Sequence, residues 1–64
     1  MTKFISLTDK SSGTKLYVNP SAIELISKNQ NSTVVTFHGG QYKYIEVSES
    51  PETILIRIAE ETNG

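Results

Sequence analysis

At Ser50-Pro51-Glu52-Thr53 the spacing of apolar residues changes, and that change constrains the fold more than any other feature of the chain. A serine can accept an amide hydrogen bond as N-cap, proline fits the first helical position, and Glu52 lies where the positive end of a helix favours an acid. Ile54, Leu55, Ile58 and Ala59 then recur at helical spacing, which predicts one amphipathic helix ending near Glu61, before Asn63 and Gly64. A single apolar stripe needs a surface to lie on, so the preceding residues must supply it.

Those residues read as strands separated by turn formers. "KFISLT" (Lys3 to Thr8) is β-branched and aromatic and stops at "DKSSG"; "TKLYV" (Thr14 to Val18) follows at hairpin distance. Asn19 and Pro20 in "NPSA" suit a cap and a single helical turn. "IELISK" (Ile23 to Lys28) fits either an extension of that turn or a strand, and the strand is preferred because the segment is short and isoleucine-rich. After the polar turn "NQNS", "TVVTFH" (Thr33 to His38) is dense in Val, Thr and Phe. Gly39-Gly40 supplies the positive φ of a tight hairpin turn, and "QYKYIEVS" (Gln41 to Ser48) returns. The expected fold is α+β: a small antiparallel sheet of about five strands, a meander able to close partly into a barrel, with one C-terminal helix packed on one face. Residues 1–64 are read as a single domain.

Sixty-four residues lie near the lower limit for a core without staples, and the chain has no cysteine for disulfides or thiolate metal sites. A stable fold then needs an efficient core or association with other chains. The longest apolar run is Ile54-Leu55-Ile56, and the first ten residues lack the apolar stretch of a signal peptide, so a cytoplasmic protein without a membrane span is expected. Net charge is −1, which argues against strong sequence-independent attraction to phosphate backbones. The charge is uneven: residues 1–44 hold five lysines against Asp9 and Glu24, whereas residues 45–64 hold Arg57 against five glutamates.

One helix covers one face of a small sheet. Val35, Phe37, Ile45 and Val47 alternate so as to share a side, and with Leu16, Val18, Ile23, Leu25 and the stripe from Ile54 to Ala59 they form the expected core. The opposite side would carry Ile5 and Leu7 or Phe4, according to register, with Tyr17, Ile26, Val34, Tyr42 and Tyr44; Ile56 sits off the helix stripe. Contiguous exposed apolar patches of this kind mark interfaces. Burying roughly 600 Å² of apolar area at about 25 cal/mol per Å² is worth on the order of 15 kcal/mol before association costs. A homo-oligomer or a protein partner is therefore expected, with Tyr17, Ile26, Tyr42, Lys43, Tyr44 and Ile56 as candidate contacts.

Chemistry is poorly represented. His38 is the only imidazole and neighbours just Phe37 and glycines, so it reads as an exposed residue at a strand end. The Gly39-Gly40 pair leads into a strand and not into a helix, unlike a phosphate cradle. Ser48, Ser50, Glu49 and Glu52 are accounted for by capping and helix-dipole roles. No enzyme activity, catalytic residue, metal site or cofactor is expected. Tyr42 and Tyr44, with Lys43 between them, could stack nucleic-acid bases or a nucleotide, which is the alternative to protein contact.

"KLYVNPSAIELI" and "VVTFHGGQYKYIEVSESPETILIRI", in that order, resemble the small FlbD-like proteins linked to bacterial flagella and swarming, and similar short proteins of phages and mobile elements. Val18-Asn19-Pro20, Ile23-Glu24-Leu25-Ile26 and Val47-Ser48-Glu49-Ser50-Pro51-Glu52 carry the match, which spans nearly the whole chain. "DKSSGT" and the tyrosine-rich returning strand depart from that pattern. The resemblance implies strands leading into a terminal helix and transfers no catalytic residue.

Overall fold

A computed structural model describes residues 4–39 and 43–63, with residues 61–63 described by backbone alone. The elements follow in the order β1 (Ile5–Thr8), β2 (Lys15–Val18), a 3-10 turn (Pro20–Ala22), β3 (Ile23–Lys28), β4 (Thr33–Phe37), β5 (Tyr44–Val47) and α1 (Pro51–Asn63). This is the expected small α+β fold of five antiparallel strands and one C-terminal helix. The helix runs past Glu61 to Asn63. The second glycine of the Gly39-Gly40 turn and Tyr42 lie outside the described residues.

The strands form two ladders, β1-β2 and β3-β4-β5. An isolated bridge between Asp9 and Val47 joins them, flanked by hydrogen bonds from Lys10 N–H to Glu46 O (2.9 Å) and from Ser48 N–H to Thr8 O (2.9 Å). The lateral order thus becomes β2, β1, β5, β4, β3. No ladder joins β2 to β3 among the described residues, so the arrangement stays open there and the 3-10 turn carries the chain across.

Local chemistry explains the connections. Asp9 Oδ2 accepts from Ser11 Oγ (2.9 Å), Ser12 N–H (3.0 Å) and Ser12 Oγ (2.7 Å), while Gly13 adopts φ +75° to let the chain turn back. Asn19 Oδ1 accepts from Ser21 N–H (3.0 Å) and caps the 3-10 turn. At the helix start Ser50 Oγ accepts from Thr53 N–H (3.2 Å), with Pro51 as first helical residue, as the sequence predicts.

The core holds Ile5, Leu7, Val18, Val35, Val47 and Ile54, with Leu16, Ile23, Ile26, Phe37, Ile45 and Ile58 packed around it. Of the two registers left open for β1, the structure takes the one in which Ile5 and Leu7 belong to the core and Phe4 is exposed. Other expectations are corrected. Ile26, expected on the outer face, packs against the core, whereas Leu25 is exposed. The reason is a register irregularity between Ile23 and Leu25: Ile23 pairs with Phe37 and Leu25 with Thr36, leaving Glu24 as an extra residue. A bulge of this kind lets residues three apart face the same way. Leu55 is exposed as well, because the helix buries a stripe centred on Ile54 and Ile58 and narrower than expected.

Candidate interaction surface

Among the described residues, six large apolar side chains remain 57–68% exposed: Phe4, Tyr17, Leu25, Tyr44, Leu55 and Ile56. On a chain of this size they are the feature most in need of an explanation, and the fold arranges them in distinct places.

The first is a shallow groove lined by Phe4, Ile5, Ser6, Tyr17, Arg57 and Glu60. Its two aromatic rings come from β1's approach and from β2, and its charged wall from α1. Tyr17 faces outward because it lies opposite Ser6 in the β1-β2 ladder, between the inward-facing pairs Ile5 with Val18 and Leu7 with Leu16. Arg57 is not free to serve a ligand as a bare cation. Its Nη1 donates to Ser6 O (2.6 Å) and to Glu49 Oε2 (3.1 Å).

Glu49 completes a clasp that sequence reading assigned to helix capping. Its Oε1 accepts from Thr8 N–H (2.8 Å) and its Oε2 from Thr8 Oγ (2.9 Å), so the connection after β5 is tied at once to β1 and α1. Burial alone would raise the Glu49 pKa; the hydrogen bonds from the backbone, from Thr8 and from Arg57 overcome it and leave the carboxyl below its ordinary value. Asp9 is likewise lowered, mainly by the Ser12 hydroxyl, then by the Ser12 amide and the Ser11 hydroxyl. The Glu49 role could not be read from spacing, since 41 residues separate Thr8 from Glu49.

The second place is the outer face of the three-stranded ladder. Leu25 pairs with Thr36 and Thr36 with Tyr44, so these three side chains form one row across β3, β4 and β5. The next row is Ser27, Val34 and Glu46. Lys43 is exposed beside Tyr44. Tyr44 is therefore an outer-face residue, as expected, but it does not line the groove that holds Tyr17. Ile56 is exposed on the helix, and Ile26 is withdrawn into the core margin. Leu25 is the member that sequence reasoning missed: strict alternation placed it inside, and only the extra residue at Glu24 turns it out.

His38 is engaged structurally. Its amide donates to Ala22 O (3.0 Å) and its Nε2 to Ser21 O (3.2 Å), pinning the end of β4 to the 3-10 turn. Among the described residues no group of three or more His, Cys, Asp or Glu side chains is placed to hold a metal ion, and no helix is long and apolar enough to cross a membrane.

No family model, curated protein or solved structure matches the chain.

Proposed function

We propose that the chain is a noncatalytic, self-associating protein-interaction module of bacterial or phage type, acting in the cytoplasm. The observation that carries this reading is the set of large apolar side chains left more than half exposed on both the groove and the outer sheet face. Tyrosine suits such a role because it offers a large apolar area with a polar end and few rotatable bonds. The engagement of His38 with the Ser21 carbonyl supports a structural role for the chain's one imidazole.

Sedimentation velocity across the micromolar range tests the reading. The wild type should sediment above monomer mass, and Tyr44→Ser should lower that mass while the helical circular dichroism signal persists. A monomer at every concentration would refute self-association.

A second reading, nucleic-acid or nucleotide binding, is favoured only by Lys43 and Tyr44, exposed side by side at the start of β5. It expects oligonucleotide binding that falls steeply with salt and weakens in Lys43→Ala. No binding at low salt discards it.

A further inference from the structure

We infer that copies of this chain associate through the free edge of β3, which pairs antiparallel with β3 of a second copy about a two-fold axis at Ile26. This specifies the interface of the self-association proposed above and rests on that reading. β3 is a terminal strand of its ladder, and Glu24, Leu25, Ser27 and Lys28 are all exposed.

The backbone narrows the register. Asn29 N–H donates to Ser32 O (2.8 Å) at the hairpin end, and in an antiparallel ladder bonded pairs alternate with unbonded ones. Ser27 with Val34 and Leu25 with Thr36 are then the pairs that exchange hydrogen bonds inside the ladder. The peptide groups of Ile26 and Lys28 consequently turn outward, toward the open edge. A second β3 can bond to them only where outward-facing groups oppose each other; centring on Ile26 satisfies this at Ile26 itself, while Lys28 of each copy meets the bulge at Glu24 of the other.

The same register makes the charges complementary. It sets Glu24 of each copy across from Lys28 of the other, so two opposite-charge pairs form by symmetry. A lysine and a bulge on an edge strand ordinarily discourage pairing. Here the two-fold brings that lysine to a glutamate, which converts a general deterrent into selectivity for this one partner. Leu25 gains as well. On the outer face it would lie opposite Ser27 of the second copy and diagonal to the second Leu25, within reach of side-chain contact. The exposed row of Leu25, Thr36 and Tyr44 would then lie beside its symmetry mate on a six-stranded sheet, built from two copies of the β3-β4-β5 ladder.

Charge reversal tests the pairing. Analytical ultracentrifugation of the wild type, Glu24→Lys, Lys28→Glu and the double variant should give a dimer for the wild type. Each single variant should dissociate with a Kd raised about ten-fold or more, and the double variant should regain dimerisation. A dimeric wild type whose single variants are unaffected would overturn the β3 interface while leaving self-association standing. So would single variants that weaken without rescue in the double. A wild type that stays monomeric overturns both. If a reversal loses its far-UV spectrum, Glu24→Gln replaces it, with a several-fold weaker dimer expected and an unchanged Kd counting against the pairing.

Discussion

A carboxylate left only 12% exposed needs donors, and Glu49 receives them from Thr8 and from Arg57, whose own side chain is 37% exposed. Because the Arg57 end is wet, the ion pair is discounted and the stabilisation comes mainly from the Thr8 bonds. Glu49→Gln should cost on the order of 1 kcal/mol at neutral pH in urea unfolding. The sign of the pH dependence follows from the depressed pKa. The stabilisation is fully present above the ordinary value of 4.5 and is lost as pH falls through the lower folded-state value. The stability gap between wild type and Glu49→Gln should therefore be widest near neutrality and shrink in acid; a gap that widens on acidification would contradict the clasp. Thr33 presents the opposite case. Its side chain is buried, and its hydroxyl has no hydrogen-bond partner among the described residues. Thr33→Val keeps the shape and removes the stranded hydroxyl, so a gain of about 1 kcal/mol is expected, read as a higher urea midpoint at unchanged slope.

At the scale of elements, helix α1 and the hairpins were legible because their signals are local. Ser50, Pro51 and Glu52 announce a helix start whatever lies elsewhere, and the Ser50 cap forms as predicted. Ser50→Ala should cost about 1 kcal/mol of stability, measured by denaturant titration. Gly13 is equally local. Nothing lies within 4 Å of where its Cβ would stand, so Gly13→Ala is opposed by the φ of +75° alone and should cost about 1 kcal/mol. A much larger loss would mean that the turn is more closely packed. The illegible parts are those decided between elements. The sequence spacing of Ile23 and Ile26 is compatible with a helix, and a bulge reconciles it with a strand; that bulge exists because β3 must match β4, and it exchanged the positions expected for Leu25 and Ile26. Likewise, Ile5 and Leu7 could be assigned a side only once the β1-β2 piece was stitched to β5 through Asp9 and Val47. The Glu49 clasp depends on the same stitching, which brings Thr8 beside the start of the helix.

For the molecule as a whole, the question is how a 64-residue chain without disulfides remains folded while leaving at least six large apolar side chains, counted among the described residues, largely exposed. Small domains bury a modest share of their surface and are correspondingly marginal, so area buried against a second copy contributes directly to the stability of the folded state. Where dissociation and unfolding are coupled, that contribution depends on concentration, because one dimer yields two unfolded chains. A hundred-fold rise in protein concentration then favours the folded dimer by about 2.7 kcal/mol, which for two chains of this length raises Tm by on the order of 5–10 °C. Leu25→Asp places a charge in the exposed row without touching the core, so it should flatten this dependence while leaving the far-UV spectrum intact. Thermal scans from micromolar to sub-millimolar protein separate the possibilities. A Tm that climbs for the wild type and stays level for Leu25→Asp places the stabilising contact on the outer sheet face, and a wild-type Tm independent of concentration would mean that the fold is sustained by the core around Leu7, Val35 and Ile54 alone.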